Sequence, residues 1–189
     1  MRNNNVSFIR FFAFLALIGL FSACEGEEKS ADIVSFFSIE NYFNEQIQNL
    51  EKGAYQLEKT LTINERAETK KTENIDYQTE LAPFVNHDIN RPAWSDKYSI
   101  DSLIESGQLK TITYQALDAS LKTQSLSIHF VENERVSFVS ITTKSHSVLS
   151  DSEKKLDYYP LSRYNILSKE TTKTGDIVEV EIAGRFVLE

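Results

Sequence analysis

The side chains able to do chemistry are few. The chain of 189 residues holds one cysteine, Cys24, and three histidines, His87, His129 and His146. No His-x-x-x-His pair occurs and there is no second thiol, so the familiar zinc spacings are excluded and neither metal nor cofactor is expected. His87 and Asp88 are adjacent in an irregular stretch and are candidates for a site completed elsewhere. The alternative is a solvated or locally hydrogen-bonded imidazole. His129 falls on the polar phase of a strand, which implies an exposed sheet position. No Gly-x-Ser-x-Gly elbow, Walker loop or Rossmann glycine fingerprint appears, and six glycines leave little for phosphate cradles. Carboxylates are plentiful, yet no spacing selects a hydrolytic pair, so a solvated acidic face is the expectation. Tyr158, Tyr159 and Tyr164 cluster around Pro160. Such rings can stack on sugars or peptides, but cross-strand packing is their commoner use.

Cys24 has a definite context. Arg2 and Arg10 give the first ten residues a positive charge without an acid, and residues 11–21 form the apolar run FFAFLALIGLF. Ser22 and Ala23 follow, then the cysteine. A positive start, a short apolar core and a small-residue exit describe a secretory signal. Eleven apolar residues fall well short of the ~20 that a spanning helix needs. On these residues the chain resembles a bacterial lipoprotein: Leu20-Phe21-Ser22-Ala23-Cys24 is similar to the lipobox. The strict motif has Leu three places before the cysteine, where this chain has Phe21, a looser form familiar in Bacteroidota. The resemblance implies thioether diacylation of Cys24, cleavage before it, and acylation of the new amino group. Two or more acyl chains hold a protein firmly to a bilayer, where one binds only marginally. The acidic tether that follows, Glu25-Gly26-Glu27-Glu28-Lys29-Ser30-Ala31, resembles the surface-export signal of the same lipoproteins; a plain solvated linker is the alternative.

Composition narrows the partners. The formal charge is −8, and cleavage after Ala23 removes two arginines and no acid, leaving −10 on 166 residues. That length suits one domain able to bury most of its apolar surface without a disulfide or metal. An acidic chain without a basic stripe argues against nucleic acid, and against docking on anionic lipid heads through the body. The organisation expected is a signal peptide over 1–23, a tether over 24–31 and a single α+β domain over 32–189.

Periodicity supplies the elements that would position any site. Phe36, Ile39, Phe43, Ile47 and Leu50 form one stripe, which predicts an amphipathic helix over residues 32–52, capped by Asp32 or Ser35 and stopped at Gly53. Leu57, Leu61 and Ile63 alternate with Glu58, Thr60 and Thr62, which predicts a hairpin through Asn64-Glu65-Arg66 into an exposed charged strand over 67–72. A shorter helix is expected over 74–85 with Ile75, Leu81 and Phe84 inward, then an ordered loop over 86–97 that pins Trp94. From Leu109 onward the pattern is strand after strand. Ile112, Tyr114 and Ala116 alternate, as do Leu126, Ile128 and Phe130. Val136 and Phe138 switch phase to Val139 and Ile141, which implies a bulge or a strand covered on both faces. Short strands are expected over 147–149 and 156–159. After a turn over 173–176, the last strand carries Val178, Val180, Ile182, Phe186 and Leu188 on one face, with a bend at Gly184.

The fold class predicted is α+β, with an N-terminal amphipathic helix and a shorter helix packed on a curved, mainly antiparallel β-meander. The leading functional expectation is a non-catalytic envelope lipoprotein. It would be anchored in the outer membrane through Cys24, reach the cell surface where the acidic tether acts as an export signal, and bind a protein, peptide or lipid. Two alternatives stand beside it. One is a carrier holding acyl chains in a half-open barrel, with Phe130, Phe138, Val180, Ile182 and Phe186 lining an unfilled face; this is analogy from architecture. The other is a surface hydrolase of glycans or peptides, which needs a polar cleft.

Overall fold

The computed structural model describes residues 36–188; Cys24, the signal segment and the tether lie outside them. Among these residues two α-helices, α1 (Ile39–Glu51) and α2 (Tyr77–Val85), accompany nine strands. The strands are β1 (Tyr55–Ile63), β2 (Arg66–Thr72), β3 (Tyr98–Glu105), β4 (Gln108–Ala116), β5 (Thr123–Phe130), β6 (Val136–His146), β7 (Ser150–Tyr159), β8 (Arg163–Thr172) and β9 (Ile177–Leu188). They form one antiparallel sheet in the order β2-β1-β9-β8-β7-β6-β5-β4-β3. The seven strands β3 to β9 are a meander, and β1 returns to pair with β9. Among the described residues no ladder joins β2 to β3, so the sheet is not closed into a barrel. The two helices pack on a mainly antiparallel sheet as expected. The α+β label fits only loosely, because the nine strands outweigh the two helices among the described residues.

A flat sheet of nine strands would be about 38 Å across at ~4.8 Å per strand. Yet residues from both ends share one core: Leu57 of β1, Phe186 of β9, and Tyr98 and Tyr114 of β3 and β4. Phe36 meets Tyr98 and Tyr114 edge-on, and Tyr77 packs on Phe186. Two helices, each ~10 Å in diameter, touch strands this far apart only if the sheet curves around them. Phe43 of α1 stacks on Phe84 of α2 with ring centroids 5.0 Å apart, and both rest on Tyr158.

The α1 stripe is buried as predicted, from Phe36 to Leu50, but the helix starts later. Its cap is Ser38, whose hydroxyl accepts the Asn41 N–H at 3.2 Å. Asp32 and Ser35, the caps expected, lie outside the described residues. Phe36 and Phe37 precede the first turn, and the Phe37 N–H donates to the Tyr114 hydroxyl. The β1–β2 hairpin turns on Asn64 and Glu65, both at positive φ, as a two-residue primed turn requires. α2 begins at the Asp76 cap, and Leu81 and Phe84 are fully buried.

Two strand expectations change and a third is resolved. β3 has no counterpart in the predicted elements. Residues 147–149 form the tight turn between β6 and β7, with Val148 and Leu149 exposed, because β7 begins at Ser150 and the Ser147 hydroxyl accepts the Leu149 and Ser150 N–H groups. The phase switch in β6 is a bulge: Phe138 pairs with His129 and Val136 with Phe130, leaving Ser137 as the extra residue. Phe130 and Val136 therefore pack on the core, whereas Phe138 lies on the opposite face against His129 and Tyr159. Gly184 stands directly across from Tyr164, and its missing Cβ leaves room for that ring.

Candidate functional site

The helices cover only part of the sheet's inner face. On β9 that face carries Phe186, Gly184, Ile182, Val180 and Val178 in turn, and on β1 it carries Leu57, Lys59, Leu61 and Ile63. Phe186 and Leu57 lie under the helices. Beyond them the cover ends: Leu61 is 39%, Ile63 43% and Val178 39% exposed, with Ile182 and Val180 half-buried between. Five aliphatic side chains on two paired strands thus form an open strip.

A hollow of about 560 Å³ sits where the strip meets α2, lined by Leu57, Lys59, Leu61, Glu68, Lys70, Thr72, Glu80 and Ile182. A neighbouring hollow shares Leu61 and Glu68 and continues to Ile63 and Arg66. Glu80 projects from the first turn of α2. Lys59 Nζ lies 2.8 Å and 3.1 Å from its two carboxylate oxygens, and the Tyr164 hydroxyl donates to it as well. Burial first, and then the Glu80 carboxylate, push the Tyr164 phenol well above its ordinary pKa, so it stays a neutral donor. The arrangement offers apolar contact and fixed charge, with no nucleophile beside a base.

The residues singled out from sequence do not meet. Cys24 lies outside the described residues. His87 is buried just after α2, with Nδ1 unpaired among the described residues; burial, then Lys122 and Lys154, lower its pKa to about 4. Asp88 turns away from it and caps α1, accepting the Glu40 N–H at 3.0 Å and the Ser38 hydroxyl at 3.4 Å. His129 is half-buried on the outer face beside Thr111, and His146 pairs with Asp151 at an exposed strand end. Among the described residues no group of three potential ligands converges on a metal position. The tyrosine cluster divides by face. Tyr158 and Tyr164 are core residues, and Tyr159 lies outside under the Arg163 guanidinium at 4.4 Å. Lys59, Lys70 and Glu80 were not among the candidates. One signal was present: Lys59 occupies the apolar phase between Leu57 and Leu61.

No protein-family model and no curated protein matches the chain. Among solved structures it is similar to the S-type phycobiliprotein lyase CPES from Guillardia theta, at 10% identity over 81% of this chain and 93% of that one. The TM-score is 0.27, too low for the lyase to inform this chain's topology or activity.

Proposed function

We propose that the chain is a lipid-anchored lipoprotein of the bacterial outer membrane, displayed at the cell surface, whose body is a non-catalytic binding module for an apolar ligand. The anchor rests on the lipobox-like residues ending at Cys24. The binding role rests on one observation, the open strip of Leu61, Ile63, Val178, Val180 and Ile182 on the part of the inner face that the helices leave uncovered. Contiguous exposed aliphatic surface rimmed by charge marks an interaction site more often than an idle one. The half-open-barrel reading survives in reduced form: Phe130 and Phe186 are packed, while Ile182 and Val180 remain open to a ligand. Solvent extraction of the native lipoprotein followed by mass spectrometry should release a co-purifying acyl compound. Val180→Asp, which sets a charge in the strip, should remove it. Identical extracts from the two proteins would overturn the binding role. For the anchor, Cys24→Ala should abolish incorporation of radiolabelled palmitate, and label persisting on that variant would overturn it.

A further inference from the structure

The two faces of the β1–β2 hairpin differ in how their cross-strand pairs match. On the outer face the pairs are complementary: Glu58 and Lys71 form an ion pair at 3.1 Å, and the Thr60 and Thr69 hydroxyls are hydrogen-bonded at 2.8 Å. On the inner face they are not. Lys59 stands opposite Lys70, Leu61 opposite Glu68 and Ile63 opposite Arg66. Directly opposed like charges, with Cβ atoms about 5 Å apart, destabilise a sheet. Glu80 neutralises Lys59. Among the described residues no side chain pairs with Lys70, Glu68 or Arg66. This mismatch leaves the Lys70 ammonium uncompensated at the head of an apolar strip, with Glu68 and Arg66 following it along the same face.

We propose that this hollow binds the carboxylate of a single-chain fatty acid at Lys70, beside Lys59, with the acyl tail lying along Leu61, Ile182, Ile63, Val180 and Val178. The proposal rests on the apolar-ligand reading above and adds the head-group charge and the number of chains. Lys70 at the head of the strip supplies the counter-charge for one carboxylate, while Arg66, also unpaired, lies further along opposite Ile63, beyond the reach of the same head group. The strip is two strands wide, and strands ~4.8 Å apart make a track for one chain rather than two. The Glu68 carboxylate on the same face opposes an anion and so tempers the affinity.

The test titrates cis-parinaric acid and its uncharged methyl ester into the purified full-length chain and follows probe fluorescence. The acid should bind about tenfold more tightly than the ester, the scale of one charge-assisted hydrogen bond, and the preference should shrink with added salt. Lys70→Met should bring the acid down to the affinity of the ester without changing the ester. Glu68→Gln should tighten the acid alone. Both positions are exposed on an edge strand, and an unchanged melting temperature confirms that each variant folds. Equal binding of acid and ester, or an acid affinity indifferent to Lys70→Met, would overturn the head-group site and leave the apolar strip standing. Binding of neither probe would remove both readings.

Discussion

The surroundings of His87 couple its titration to folding. Its ring is 7% exposed, and burial lowers its pKa to about 4 from an ordinary 6.5. A group whose folded pKa lies below its unfolded one takes up a proton more readily in the unfolded chain. Stability should therefore fall as pH drops from about 6.5 towards 4 and be flat above that window, with at most about 3 kcal/mol lost across it. His87→Gln should flatten this part of the profile relative to the parent in urea titrations at pH 7.5, 5.5 and 4.5. Equal slopes for both proteins would contradict the assignment. Gly184 makes a steric prediction at the same scale. A Cβ on it would collide with the Tyr164 ring, and that ring is fixed by its bond to Glu80 and by Phe84 and Phe186. Gly184→Ala should cost about 1–3 kcal/mol, as overpacking of a filled site does, measured by chemical denaturation. A neutral result would mean that the ring moves freely.

At the scale of elements, the parts legible from sequence are those where one period runs uninterrupted and one face is buried. The α1 stripe and the alternation in β9 are of this kind. β3 was not legible because only Tyr98 at its start reaches the core, while its aliphatic residues Ile100, Leu103 and Ile104 are exposed at a sheet edge; a register shift between Leu103 and Ile104 breaks their alternation as well. The start of α1 was misread for a different reason. Ser38 caps the helix locally, but Asp88, fifty residues further on, accepts from the same turn and from the Ser38 hydroxyl, and no local pattern reveals that distant support. The charged hollow was hidden in the same way, since Glu80 and Lys59 meet only after α2 folds over β1. Two predictions follow from these elements. Asp88→Ala should destabilise the protein by about 1 kcal/mol through loss of the cap, without altering the far-UV spectrum of the folded state. Glu65 holds a φ of 71° in a primed turn, a conformation that suits glycine and strains other residues. Glu65→Gly should raise the urea midpoint, and a lowered midpoint would mean that the turn is held by the Glu65 side chain.

For the molecule as a whole, the open sheet poses a problem that its two edges treat differently. A strand at an edge presents unpaired backbone groups, and charged side chains, lysine above all, discourage another chain from adding to it. β2 carries Arg66, Lys70 and Lys71 along its seven residues, and six of these seven are exposed. β3 has no basic residue; it shows Ile100, Leu103 and Ile104 to solvent beside Asp101 and Glu105. The net charge of −8 opposes encounters between copies but is screened within about 8 Å at physiological salt. Added salt should then favour association through β3 while β2 stays inert. Sedimentation velocity should show a concentration-dependent species that grows with salt, and Ile104→Lys should suppress it with little change in melting temperature, because that side chain touches no core. Lys71→Ile, which also unpairs Glu58, should open a second route and raise association even in the Ile104→Lys background. If Ile104→Lys associates as the parent does, the β3 edge is already shielded, and the control of self-assembly would have to come from elsewhere in the chain.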